Sequence, residues 1–144
     1  MHHVLDSIDK AILNLMQDDA TLPLKTVAER VHVSIATAQR RIQALIDGGV
    51  ITKQVAIVNP DKVGYGLTAV VMIEMERSNT SMQQRFERLM DAQSRVMSCY
   101  EVSGDFDFML MVNAKNMSDY HQFTRHLLTY ENNVRNFKSQ FVMN

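Results

Sequence analysis

The stretch from Val33 to Ile51, VSIATAQRRIQALIDGGVI, constrains the fold more than any other part of the chain. Ser34 predicts the start of a helix, because its hydroxyl can accept a hydrogen bond from a free backbone N–H of the first turn. Apolar residues then recur at helical spacing and form one stripe: Ile35, Ala38, Ile42, Leu45 and Ile46. Gly48 and Gly49 end the helical pattern, and Val50 to Val58 is predicted to be a strand.

The outward face of this helix carries small, hydroxyl, amide and guanidinium groups. At about 100° per residue, the positions pointing away from the apolar stripe are Ala36, Thr37, Arg40 and Ala44, with Arg41 and Gln43 beside them. Gln39 is expected nearer the core edge. Such a face can enter the major groove of DNA, where small residues allow close approach and Arg and Gln reach base edges or phosphates.

These positions give a specific hypothesis for DNA contact. The predicted contacts are Ser34, Ala36, Thr37, Gln39, Arg40, Arg41 and Gln43, with Lys53 touching phosphate from the following strand. The residues leave one alternative open, an amphipathic surface helix whose arginine pair has no role in DNA binding.

Two shorter amphipathic helices are predicted before this one. Asp6 is placed to cap the first, with Asp9 near its positive end. The apolar positions are Ile8, Ala11, Ile12, Leu15 and Met16 in the first helix, and Leu24, Val27, Ala28 and Val31 in the second. Three helices, the last two in tight succession and followed by a strand, are the pattern of a winged helix-turn-helix. Three packed helices without a DNA role are the alternative, and Met1 to Val4 is expected to be a loose terminus.

Charge and composition restrict how such a chain could bind DNA. The net charge is −1, from 15 basic and 16 acidic side chains, so there is no general attraction to nucleic acid. Because affinity scales with the number of phosphates neutralised, dimerisation or higher assembly is expected. The sequence offers no bilayer-spanning apolar run and no signal peptide. Its one cysteine, Cys99, fits a reducing cytoplasm.

In the second part of the chain the apolar residues recur with a different period, that of β-strands. Residues 59–66, NPDKVGYG, form the expected linker between domains at 1–58 and 67–144. Leu67 to Glu76 alternates like a strand but is apolar on both faces, so it needs cover on both sides, such as a helix and another subunit's sheet. The later elements predicted are helix Ser81–Asp91, strands Val96–Ser103 and Phe106–Ala114, helix Met117–Tyr130 and strand Val134–Met143. Their β-α-β-β-α-β order is the ferredoxin-like arrangement, so the fold class is α+β.

A short loop between the central strands is the second candidate site. Its residues are Ser103, Gly104, Asp105, Phe106 and Asp107. Gly104 permits a sharp turn and close approach of a ligand to backbone N–H groups. On an extended chain the two aspartates point the same way. Backbone donors and a carboxylate could together hold an α-amino acid; the alternative is a hairpin turn with solvated acids.

The order and spacing of several short motifs give a family resemblance. The positions that carry it are Leu5, Asp6, Asp9, Ile12 and Leu13, residues 22–34, Arg41, Leu45, residues 49–51, Gly64, Tyr65, residues 102–107, Phe141 and Val142. With them the chain closely resembles the leucine-responsive/asparagine-regulator (Lrp/AsnC) family of prokaryotic transcription factors. Family members usually continue with a stretch that completes the last strand, whereas this sequence ends at Asn144.

The resemblance implies a DNA-binding transcriptional regulator with an N-terminal winged helix-turn-helix and a C-terminal ferredoxin-like domain. It implies double-stranded DNA as partner, dimerisation through the sheets and further assembly, often to an octamer. It also implies a small-molecule effector, usually an amino acid, bound near residues 104–107 at contacts between dimers.

Two other function classes are alternatives to this one. An oligomeric interaction or ligand-sensing module without DNA binding would keep the same sheet domain. A small ferredoxin-like enzyme would use Asp105 and Asp107 as acid and base, but no nucleophile, phosphate loop or cofactor motif accompanies them, so an enzyme is not expected. No metal site is expected, since His121 and His126 would project about 140° apart on a helix. No cofactor or membrane partner is expected either.

Overall fold

The computed structural model describes residues 4–144, which form two units divided between Ile57 and Val58. Of the terminus predicted to be loose, Met1–Val4, only Val4 is among the described residues, and it is exposed. The first unit contains helices α1 (Ser7–Asp18), α2 (Leu24–Arg30) and α3 (Ile35–Asp47). No helix among the described residues is long and apolar enough to cross a membrane.

The predicted helix starts are confirmed by the caps of α1 and α3. The Asp6 carboxylate accepts from the backbone N–H of Asp9 at 2.9 Å, and the Asp9 carboxylate accepts from the N–H of Asp6 at 3.2 Å. The Ser34 hydroxyl accepts from the N–H of Thr37 at 3.1 Å. These bonds satisfy donors that have no partner inside the helices.

The core of the first unit joins all three helices. Ile12, Val27 and Leu45 are buried and pack together. The apolar stripe predicted for α3 is correct at its centre but narrower than expected, because Ile35 and Ile46 remain 49% and 40% exposed at its edges.

The predicted strand Val50–Val58 is wrong. Residues 50–58 contain no strand, and Val55 and Ile57 are 65% and 95% exposed. The beginning of the segment folds back on α3, where the N–H groups of Val50 and Ile51 both donate to the carbonyl of Leu45. The β-branched composition favours extended backbone, but a strand also needs a partner for its hydrogen bonds. Within the described chain no strand lies beside this segment.

The second unit is a four-stranded antiparallel sheet with two helices on one face. Its elements are β1 (Leu67–Met75), α4 (Thr80–Asp91), β2 (Val96–Glu101), β3 (Phe108–Ala114), α5 (Met117–Leu127) and β4 (Val134–Phe141), with short 3-10 helices at Pro60–Val63 and Tyr130–Asn132. The strand order is β2-β3-β1-β4. This confirms the predicted ferredoxin-like order. The strands flanking the central loop are shorter than expected, because the chain bends from Gly104 onward instead of continuing the ladder.

The two faces of this sheet differ in their cover. Alternate residues of β1 and β3 are buried beneath α4 and α5: Ala69, Val71, Ile73, Met75, Phe108, Leu110, Val112 and Ala114, with Phe86, Met90, Tyr120 and Phe123 from the helices. On the opposite face Val70 lies beside Met111, and Met72 lies beside Met109. These four side chains are only half-buried. The strands are thus apolar on both faces, as predicted, and the helices cover one of them.

Candidate functional site

One exposed face of α3 forms a shallow groove. Its lining residues are Ala36, Gln39, Arg40, Gln43, Ala44 and Asp47. Their spacing of three and four residues places them on one side of the helix. The two alanines leave room at the backbone, while the two glutamines and Arg40 supply hydrogen-bond donors.

The centre of this face differs from the one predicted by about one position. Gln39 is exposed in the groove instead of lying near the core edge, and Thr37 is half-buried. The reason is geometric. Successive spacings of four, three and four residues match the helical repeat of about 3.6 residues, so one line along the exposed side of α3 contains Ala36, Arg40, Gln43 and Asp47. Thr37 also accepts a hydrogen bond from the Ser34 hydroxyl at 2.9 Å, so both side chains belong to the start of α3.

The two adjacent arginines of α3 have different surroundings. Arg40 is exposed and makes no ion pair with any residue of the described chain. Arg41 turns toward α1, with its Nη1 atom 2.5 Å from Asp6 Oδ2 and 3.3 Å from Asp9 Oδ1. The hydrogen bond from Arg41 holds the pKa of Asp6 at about 2 instead of its usual 3.8. The structure therefore separates Arg41 from the other predicted DNA contacts.

The sequence predicts Asp6 and Asp9 as residues that begin α1, and both also belong to the family resemblance, but it does not predict their contact with Arg41. Their pairing with Arg41 joins positions that are 35 and 32 residues apart. No local pattern reports such a contact, since it depends on how α1 packs against α3. The matching charges were the only available signal.

The remaining predicted DNA contacts lie at the edges of this face. The Gln43 side-chain N–H₂ donates to the Asp47 carboxylate at 2.9 Å. Lys53 is exposed on the irregular segment after α3. It lines a different groove of the first unit, together with Asp18 and Asp19 from the end of α1.

The predicted effector loop is bent, not extended. Gly104 has a φ of +106°, in the region that favours glycine, and Ser103, Gly104 and Asp105 are exposed. The Asp107 carboxylate accepts from the N–H of Met75 at 2.6 Å, and its own N–H donates to Ile73 at 2.8 Å. The premise that the two aspartates project together from an extended strand is therefore wrong, because Asp107 anchors the loop to the end of β1.

A cationic group lies beside this loop that the sequence did not indicate. The Lys138 ammonium is 5.6 Å from the centre of the Phe106 ring, within the range of a cation–π interaction. Lys138 belongs to β4, and the register that places it opposite Met72 on β1 is a long-range feature. Asp105 and Lys138 thus supply charges of both signs near the exposed backbone of the loop.

Cys99 provides no reactive group. Its thiol is half-buried, and burial raises its pKa to about 11, with smaller contributions from Glu87 and Asp91. It therefore stays protonated at neutral pH. Among residues 4–144, no three His, Cys, Asp or Glu side chains are grouped so that they could hold a metal ion.

Comparison of the sequence with known families matches both units. Residues 5–46 match the family model for the AsnC-type helix-turn-helix domain, and residues 68–144 match the model for the Lrp/AsnC ligand binding domain. An uncharacterised HTH-type transcriptional regulator of Haemophilus influenzae is 52% identical over 140 residues, covering 97% of this chain and 83% of the relative. The DNA-binding transcriptional activator DecR of Escherichia coli K12 is 30% identical, with 97% and 92% covered.

Solved structures of transcriptional regulators have a similar fold. A transcriptional regulator from Neisseria meningitidis, crystallised as a complex with L-Met, has a TM-score of 0.90 at 26% identity, covering 98% of this chain and 91% of that one. An AsnC family transcriptional regulator from Agrobacterium tumefaciens has a TM-score of 0.88 at 30% identity, covering 97% and 91%.

Proposed function

Because the chain belongs to the Lrp/AsnC family of HTH-type transcriptional regulators, we propose that the exposed face of α3 around Arg40 reads its DNA and that an amino acid bound at residues 103–107 modulates the binding. The observation that carries the DNA part is the Arg40 guanidinium, which has no ion-pair partner among residues 4–144. It lies at the centre of a face whose other groups are small or amidic, with one carboxylate at its end, Asp47. A regulator that binds the chromosome acts where the chromosome is, so we place it in the cytoplasm.

The chemistry of the α3 face supports major-groove contact. Arg40 can donate two parallel hydrogen bonds to the O6 and N7 atoms of guanine, and Gln39 or Gln43 can pair similarly with adenine. Ala36 and Ala44 are small enough to let the helix approach the base edges. Ser34 and Thr37, at the N-terminus of α3, are suited to a phosphate oxygen, as is Lys53. We assign Arg41 to the contact between α3 and α1 instead.

The uncovered face of the sheet supports a homodimer. Val70, Met72, Met109 and Met111 form an adjacent apolar group on the central strands, and a second copy of the same sheet is a complementary cover for it. A two-fold dimer presents two copies of α3 to two half-sites. It also doubles the phosphate contacts available to a chain whose net charge is only −1. We propose that these dimers assemble further, up to an octamer.

The loop at 103–107 has the groups that an α-amino acid requires. Exposed backbone at Gly104 can donate to a carboxylate, and Asp105 can accept from an ammonium. Asp107 holds the loop in place through β1. The L-Met complex concerns the Neisseria regulator, and it supports an amino acid as the ligand class. Binding between dimers would favour one arrangement of the assembly, and so one spacing of the α3 helices.

Thermal unfolding of the full chain against each of the twenty amino acids tests the effector part. A ligand at about one hundred times its dissociation constant stabilises the folded state by about 2.7 kcal/mol, which gives a clear rise in Tm. Asp105→Ala should abolish the rise. Asp91→Ala, an exposed acid at the end of α4, should retain it. A panel without any rise, or a rise unaffected by Asp105→Ala, contradicts the proposed ligand site.

A further inference from the structure

Three charged side chains connect the start of α1 to the middle of α3. The Arg41 guanidinium reaches both Asp6 and Asp9, at 2.5 Å and 3.3 Å. The Asp9 side chain is only 4% exposed, and that of Arg41 is 27% exposed. The shorter contact is to Asp6, whose side chain is half exposed, and the longer one is to the buried Asp9. Both are charge-assisted hydrogen bonds and are therefore directional.

The same carboxylates also begin α1. Asp6 and Asp9 each accept a backbone N–H of the other in the capping box. Their side chains are therefore held in place by these backbone bonds, independently of Arg41. The guanidinium consequently binds a fixed point on α1, which restricts rotation of α3 about its own axis.

The rest of the contact between these helices is apolar. Ile12 of α1 and Leu45 of α3 pack in the shared core, and apolar contacts are not directional. They keep the apolar side of α3 facing inward, but they resist a small rotation of the helix less than a hydrogen-bonded ion pair does. Arg40 precedes Arg41 by one position on the helix, so any rotation of α3 would also turn Arg40.

We propose that Arg41 is a positioning residue, which sets the direction in which α3 presents Arg40 and Gln43 to DNA through its contacts with Asp6 and Asp9. This inference rests on the proposed DNA-reading face of α3. It differs from the expectation that Arg41 itself touches DNA.

The two roles of Arg41 predict opposite effects of Asp6→Asn. If Arg41 is a phosphate ligand restrained by acids, removing one acid frees it and strengthens DNA binding. If Arg41 positions α3, the same change weakens specific binding, although it removes a negative charge. Asparagine caps helices as well as aspartate does, so the start of α1 is preserved.

The experiment uses the full chain and two duplexes, one selected by the parent protein from a randomised library and one scrambled. Dissociation constants are measured for both duplexes over a range of salt concentrations, with circular dichroism as the check on folding. The variants are Arg41→Gln, Arg41→Lys and Asp6→Asn. Asp91→Asn, the same change at an exposed acid of α4 in the second unit, is the matched control.

We expect Arg41→Gln and Asp6→Asn to lower the preference for the selected duplex by about tenfold, comparable to disturbing one base contact. The dependence of log K on log salt should stay that of the parent, because no phosphate contact is lost. Arg41→Lys should show a smaller loss of preference than Arg41→Gln, and the control Asp91→Asn should keep the preference of the parent. The ratio of the two dissociation constants does not depend on the folded fraction, so partial unfolding alone cannot lower it.

Two results would overturn the inference. One is an Asp6→Asn protein that prefers the selected duplex as strongly as the parent or more strongly. The other is an Arg41→Gln protein whose salt dependence falls by about 0.9 per protomer, the value for one lost phosphate contact. A parent protein with no preference for any selected duplex would instead refute the proposed DNA-reading face. Should Arg41→Gln fail to fold, Asp6→Asn and Arg41→Lys still decide the question.

Discussion

Arg40→Ala should impair DNA recognition while leaving the fold intact. Arg40 is exposed and makes no ion pair with the described residues, and alanine is the most favourable helix residue. We therefore expect the free energy of unfolding to change by less than about 0.5 kcal/mol. A larger loss would show that Arg40 supports the fold.

The expected loss in binding follows from the position of Arg40 at the centre of the exposed face. One bidentate contact from arginine to guanine contributes about 1–3 kcal/mol of discrimination. A dimer with two half-sites would lose about twice that, so the lower bound of about 2 kcal/mol corresponds to roughly a 30-fold weaker complex. Binding to a scrambled duplex should change much less, because a base contact contributes little there.

Fluorescence anisotropy with labelled duplexes, at one fixed salt concentration, measures both quantities. The matched control is Arg125→Ala, which removes an exposed arginine from α5 in the other unit. We expect the control to bind like the parent. If Arg40→Ala bound the selected duplex as tightly as the parent, the assignment of the DNA-reading face would be refuted.

Four further predictions follow from the same structure. Lys53→Gln should lower the salt dependence of binding by about 0.9 per protomer on any duplex, and a change restricted to the selected duplex would argue against a phosphate contact. Met109→Lys should convert dimers to monomers in sedimentation experiments, because it places a charge within the uncovered apolar face; an unchanged sedimentation coefficient would show that another surface mediates dimerisation. Since the folded-state pKa of Asp6 is about 2 against a usual 3.8, its stabilising contribution is present above about pH 4 and is lost as the pH falls toward 2. Asp6→Asn should therefore reduce the acid sensitivity of unfolding in that range, and an identical pH profile would contradict the pairing with Arg41. Leu45→Ala, at a fully buried position, should destabilise the first unit by about 2–5 kcal/mol, whereas an unchanged Tm would contradict the described core.

The features that could be predicted from the sequence depend on residues that are close together in the chain. The caps at Asp6 and Ser34 act over three positions, and the apolar stripes repeat within one or two turns. The alternation of β1 and β3 similarly reports strands before any partner is known. These local signals were sufficient for the helices of the first unit and for the order of elements in the second.

The features that were missed depend on contacts between distant residues. Val50–Val58 has the composition of a strand, but composition does not supply a partner for its hydrogen bonds. Arg41 and Asp107 have the charges expected of ligand contacts. Their actual partners, on α1 and at the end of β1, lie 32 or more residues away. For both residues the deciding partner lies far away in the sequence, so no local pattern could report it.

The measurement that tests the DNA-reading face most directly is an NMR titration of the isotope-labelled full chain with the selected duplex. We predict that the largest changes in amide chemical shift occur at Ala36, Gln39, Arg40 and Gln43, with the outer faces of α4 and α5 unaffected. Changes concentrated on α4 or α5, with these four amides unmoved, would contradict the account.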